Sequence, residues 1–142
     1  MMPDKHGYTF LFFVFHESRG LETVNPGHRK VRRTFLVGKY KVITLCGSTR
    51  FKDAFLETQK RLTLEGNIVI SVGLFGHSGD EEVWAPGTKE MLDDMHKRKI
   101  DMADEIFVIN VGGYIGSSTQ SEIEYALATG KTVRYLEQPC EE

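Results

Sequence analysis

KVITLCGSTR, Lys41 to Arg50, is an apolar run that ends in a glycine, two hydroxyls and an arginine before a helix-like segment starts at Phe51. Val42, Ile43, Leu45 and Cys46 are what a strand buried on both faces requires. Gly47 permits a backbone geometry or a close approach that a side chain would block. Ser48 and Thr49 can cap the next helix and leave its first N–H groups aimed at an anion. Two readings are open from these ten residues. They form either a first parallel strand delivering a loop for a phosphate or ribose, or an ordinary strand-to-helix turn with a hydroxyl cap.

Downstream, strand and helix patterns alternate. Phe51, Ala54, Phe55, Thr58 and Leu62 keep the spacing of one helix face, which Glu65-Gly66-Asn67 ends. Ile68 to Val72 is β-branched and uncharged and reads as a second buried strand. Gly73 to Gly87 is a long glycine-rich loop with His77, Asp80, Trp84 and Pro86, and loops of this length usually cover a site. Trp84 either stacks on a base or anchors the loop to the body. Thr88 to Ala103 reads as a second helix, with Met91, Leu92 and Met95 apolar and Lys97, Arg98 and Lys99 facing water. Ile106 to Val111 is a third strand, Gly112-Gly113 opens another loop, and Ile123, Ala126, Leu127 and Gly130 mark a third helix. Thr132 to Leu136 supplies the last strand. The alternation predicts an α/β, three-layer Rossmann- or flavodoxin-like domain with a parallel sheet of four to five strands and helices on both faces. Ligands of such sheets bind beyond the carboxyl ends of the strands. The three loops starting at Gly47, Gly73 and Gly112 meet there.

Length and composition bound the rest. The 142 residues suit one domain with a genuine core. A formal charge of −2 favours neither nucleic acid nor a membrane surface. Cys46 and Cys140 are the only cysteines. They provide neither a disulfide framework nor a metal-ligand spacing, so a reducing, cytoplasmic compartment and no metal or cofactor are expected. Tyr8 to Phe15, YTFLFFVF, is too short for a membrane span and lacks a following small-residue cleavage site, so an extra strand or a poorly ordered leader is expected. His16 to Gly38 reads as a linker, and its HRKVRR cluster, His28 to Arg33, reads as a solvated basic loop rather than a nucleic-acid contact. The predicted division is an N-terminal extension over 1–39, a domain over 40–138 and a polar tail over 139–142.

The third helix opens with Gly116-Ser117-Ser118-Thr119, followed by Glu122. Thr119-x-x-Glu122 fits a capping box in which each side chain satisfies the other's free N–H. Glu124 lies about 200° further round a helix and cannot share a site with Glu122. CGSTR at Cys46 to Arg50, together with GSSTQSEIEYALATGKTV at Gly116 to Val133, resembles the nucleoside 2-deoxyribosyltransferase superfamily. The closest likeness is to its deoxyribonucleoside 5′-monophosphate N-glycosidase branch, whose first strand ends in a similar Cys-Gly-Ser-x-Arg. Glu122, Ile123, Ala126, Gly130 and Lys131 fall where that family's last helix carries its motif. The likeness covers Tyr40 to Leu136.

The resemblance implies that Glu122 attacks C1′ of the sugar, expels the base and forms a glycosyl-enzyme ester, which water or a second base resolves. A helix N-terminus is expected to keep Glu122 ionised. The resemblance places Gly47, Ser48 and Arg50 on one flank of the phosphate or sugar and Gly116, Ser117 and Ser118 on the other. Thr49, between Ser48 and Arg50, joins the candidate loop. Arg50 suits a phosphate through paired hydrogen bonds, or is a surface arginine at a helix start. The family usually carries an aspartate on the helix before the third strand. Here the corresponding place falls at or near His96, with Asp93 and Asp94 shortly before and Asp101 after, and His96 is a candidate proton donor near neutral pH. The expected partners are a small-molecule nucleoside or nucleotide and a second copy of the chain in a homodimer, with no membrane and no nucleic acid. The alternative is a non-catalytic nucleotide-binding or signalling domain of the same fold, in which Glu122 is only a helix cap.

Overall fold

The computed structural model describes residues 40–139, all within the unit Tyr40–Glu142 of the two into which the chain divides. The expected strand at Tyr8 to Phe15, the basic linker and Cys140 lie outside the described residues. Four strands form one parallel sheet: β1 (Val42–Gly47), β2 (Ile68–Ile70), β3 (Glu105–Ile109) and β4 (Thr132–Tyr135). Their spatial order is β2-β1-β3-β4. Three helices connect them: α1 (Lys52–Leu64), α2 (Thr88–Asp101) and α3 (Ser117–Ala128). The α/β, Rossmann- or flavodoxin-like architecture is as the alternation predicts, with four strands.

Apart from Thr44 and Glu105 the two central strands carry no polar side chain, because both their faces are covered. Ile43, Leu45, Phe107 and Ile109 pack with Phe55 and Leu62 of α1 on one face. Cys46, Ile106 and Val108 pack with Ile100 of α2 and with Ile123 and Ala126 of α3 on the other. Phe55 is fully buried and stabilises the fold by roughly 1.5–3 kcal/mol relative to an exposed ring. The chain reverses direction across the sheet between β1 and β3, and a crevice opens where such a reversal occurs. At that point Gly47 pairs with Ile109 with φ at +153°. A Cβ on Gly47 would sit 2.8 Å from the Ile109 carbonyl oxygen and 3.3 Å from the Phe55 ring. Close approach of β1 to β3 therefore requires glycine there.

Several local expectations are corrected. The second strand is shorter than Ile68 to Val72 and is not buried: it is an edge strand, and Ile68 is 51% exposed. Its apolar composition matches a central strand, but only position in the sheet decides coverage. On α2, Met91 and Met95 are exposed, and the buried residues are His96 and Ile100. The helix turns its histidine inward because that side chain meets Cys46 of β1. Leu127 of α3 is exposed, while Ile123 and Ala126 carry that helix's core face. Gly130, at φ +76°, ends α3, donating to Leu127 O as Lys131 donates to Ala126 O.

Candidate functional site

A cavity of about 360 Å³ opens at the carboxyl ends of β1 and β3, at the lower end of the roughly 300–1,000 Å³ range of small-molecule sites. Every candidate residue lines it: Gly47, Ser48, Thr49 and Arg50 from the β1 loop, Trp84 from the long loop, His96 from α2, and Gly116, Ser117, Ser118 and Glu122 from the start of α3. The three loops converge as the parallel topology requires.

Glu122 does not act as a helix cap. The expected capping box placed the helix start at Thr119, but α3 begins at Ser117 with Gly116 as its N-cap, and no side chain caps it. Glu122 is thus in the second turn, beyond the unpaired N–H groups of the first. Thr119 is buried instead. The Glu122 side chain is 14% exposed, and its carboxylate Oε2 lies 4.0 Å from His96 Nε2. Among the described residues no Lys or Arg lies within ion-pair distance of it. Burial pushes its carboxyl up to about 7, with Asp93 adding to the rise and Cys46, Lys89 and Lys97 opposing it. The helix N-terminus therefore does not keep Glu122 ionised as expected, because desolvation outweighs the dipole. Near neutral pH the carboxyl is divided between its two forms.

His96 lines the cavity beside it, and the fully buried Cys46 lies against His96. Cys46 Sγ and His96 Nε2 are 3.5 Å apart. Burial, assisted by Lys99, lowers the His96 imidazole to about 4, against the pull of the Leu45 backbone and Asp93. A histidine neutral at physiological pH is not the imidazolium donor that an ordinary His would supply. Burial, followed by the neighbouring Glu122, raises the Cys46 thiol well above its usual range. Cys46 is a protonated thiol in this state rather than a nucleophilic thiolate.

The rim is polar. Arg50 donates to Ser48 Oγ at 3.1 Å and to Tyr114 Oη at 3.3 Å, and its guanidinium lies 4.3 Å from the centre of the Tyr114 ring. Thr49 Oγ1 is 2.8 Å from His77 Nδ1, and Ser78 Oγ donates to the Thr49 carbonyl at 2.7 Å. The long loop is thereby tied to the β1 loop. Trp84 meets the His77 ring edge-to-face, 5.1 Å between centres, while 47% exposed. It braces the loop and also lines the cavity. Sequence reasoning missed Tyr114, His77, Lys89 and Lys99 as lining residues. Tyr114 had a usable signal, an aromatic residue between Gly113 and Gly116 in a loop already expected at the site. Of Asp93, Asp94, His96 and Asp101 on α2, Asp93 and His96 line the cavity and Asp94 and Asp101 do not. Asp93 is held by Lys89 at 2.6 Å.

No helix among the described residues is long and apolar enough to cross a membrane. Compared with known proteins, the sequence matches no family model and no curated protein, which leaves the site's own geometry to carry the functional argument.

Proposed function

We propose that this chain cleaves, or transfers across, the N-glycosidic bond of a (deoxy)nucleoside or its 5′-monophosphate, with Glu122 as nucleophile. The observation that carries this reading is a single carboxyl, mostly buried and free of any capping role, facing one nucleoside-sized cavity with the Gly47–Arg50 loop and the α3 N-terminus. The ionised carboxylate attacks C1′. The C1′–N bond breaks, its electron pair leaves with the base, and the base takes a proton from water. Water or a second base then attacks C1′ of the glycosyl ester and restores the carboxylate. Desolvation that raises Glu122 also makes the ionised form a stronger partner for a developing oxocarbenium charge.

The other residues divide by chemistry. Arg50, Ser48, Ser117 and Ser118 supply hydrogen-bond donors for a 5′-phosphate or sugar hydroxyls, with the α3 N-terminus adding free N–H groups. Asp93 stands on the α2 stretch where the family resemblance calls for an aspartate, and its carboxylate accepts from a sugar hydroxyl. His96 acts as a neutral neighbour that fixes the Glu122 carboxyl. Trp84 provides a face for the base. The reading includes a homodimer, supported by β2 and β4 standing at the two edges of the sheet among the described residues, working in a reducing cytoplasm.

A panel of nucleosides and 5′-monophosphates, scored for free base by chromatography, tests the reading. One or more members should release base, and a slow substrate should leave a glycosyl adduct on Glu122 by mass spectrometry. Nucleotides that raise the melting temperature while no member releases base would overturn it in favour of a binding domain.

A further inference from the structure

We propose that Cys46, His96 and Glu122 form a binding site for a thiophilic divalent cation of the zinc class, and that this cation and a sugar occupy the cavity floor in mutual exclusion. The ligand atoms Sγ, Nε2 and a carboxylate oxygen all lie within 4.8 Å of one another. They come from β1, α2 and α3, three packed elements that hold them without help from a loop. Cys46 Sγ and His96 Nε2 are 3.5 Å apart, against about 3.6 Å for a thiolate and an imidazole on tetrahedral zinc at normal bond lengths. His96 Nε2 and Glu122 Oε2 are 4.0 Å apart, against roughly 3.3 Å in the same geometry. A rotation of the carboxylate covers that difference.

The donor set is selective. A thiolate and an imidazole with one carboxylate suit zinc and its neighbours, whereas magnesium and calcium require oxygen ligands. Three protein ligands, two of which, His96 and Glu122, line the cavity, match an accessible zinc site rather than a closed four-ligand structural one. Independently, Glu122 is buried without a Lys or Arg at ion-pair distance among the described residues, and a cation at this point supplies the missing charge. Binding releases the thiol proton, and any carboxyl proton, to solvent. The exclusion rests on the glycosidase reading: a carboxylate whose lone pair is engaged by a metal cannot attack C1′.

The full chain carrying Cys140→Ser, which leaves Cys46 as the sole thiol, is titrated with cobalt(II) as an optical probe. One equivalent should bring up a thiolate-to-cobalt charge-transfer band with tetrahedral ligand-field bands, and zinc should abolish both. Cys46→Ser should remove the charge-transfer band, and His96→Gln and Glu122→Gln should each weaken binding at least about tenfold. Circular dichroism checks each fold, and if Cys46→Ser does not fold, the two cavity-lining variants carry the same test. Absence of the band, or its survival in Cys46→Ser, overturns the site. With an active substrate, one equivalent of zinc should suppress base release more than tenfold, reversibly with a chelator, and undiminished release by zinc-loaded protein overturns the exclusion. A charge-transfer band with no base release from any substrate would sink the glycosidase reading and leave the metal site standing.

Discussion

The two ends of the parallel sheet each bury a glutamate, and the two are treated in opposite ways. At the amino-terminal end Glu105 has a side chain only 4% exposed, and it is matched by Lys41 at 3.0 Å and Arg134 at 2.7 Å. Lys41, just before β1, and Arg134 of β4 reach it while their side chains stay about half exposed. At the carboxyl-terminal end Glu122 is nearly as buried, but among the described residues no Lys or Arg reaches ion-pair distance, and a neutral imidazole and a thiol stand beside it. The first glutamate is neutralised and serves the fold. The second is left uncompensated beside a cavity, and residues poised in that way mark functional sites more often than structural ones.

Four substitution or pH experiments press on that contrast. Glu122→Gln should lower base release by at least about a thousandfold, because the amide cannot form the ester intermediate. Steady-state rates with the best substrate of the panel, alongside a normal circular dichroism spectrum, check this. Replacing Lys41 and Arg134 together with Met would turn Glu105 into a second uncompensated glutamate. Denaturant unfolding should show a loss of about 3–4 kcal/mol at pH 8. Removing the charge at the other end should do the reverse. Glu122 titrates near 7 in the folded protein and near about 4.3 in an unfolded chain. Between those values the folded state holds the extra proton, so its stability falls as pH rises and stays reduced above 7. Glu122→Gln should therefore be more stable than the parent by about 2 kcal/mol at pH 8 and no more stable at pH 4. The smallest effect is on rate. In chelator-treated protein, base release limited by ionised Glu122 should rise about tenfold between pH 6 and pH 8, and a flat profile would show that the carboxyl is not the titrating nucleophile.

Much of the fold was legible because periodicity reports burial where an element has one covered face. Phe55 and Leu62 fall on the buried stripe of α1 as their spacing requires. The same rule failed on α2, where Met91 and Met95 look like core but face outward and His96 goes in. A helix with few strongly apolar residues has no pattern strong enough to fix its rotation, and the contact with Cys46 settles it. The candidate site was legible as a set of loops, since glycine and hydroxyl residues at strand ends report ligand geometry locally. The protonation of Glu122 and His96 was not. Charge states depend on what surrounds a group in three dimensions, and the pairing of Cys46 with residues fifty and more positions away leaves no spacing signal.

The order of strands and helices along the chain and the placing of the loops at one end of the sheet followed from the amino-acid sequence alone, because backbone preference and hydrophobic period act over a few neighbours. Whether Glu122 was a cap or an uncapped acid over a cavity was decided only by tertiary structure. Desolvation and the convergence of β1, α2 and α3 are properties of packing, and no local run of residues contains them.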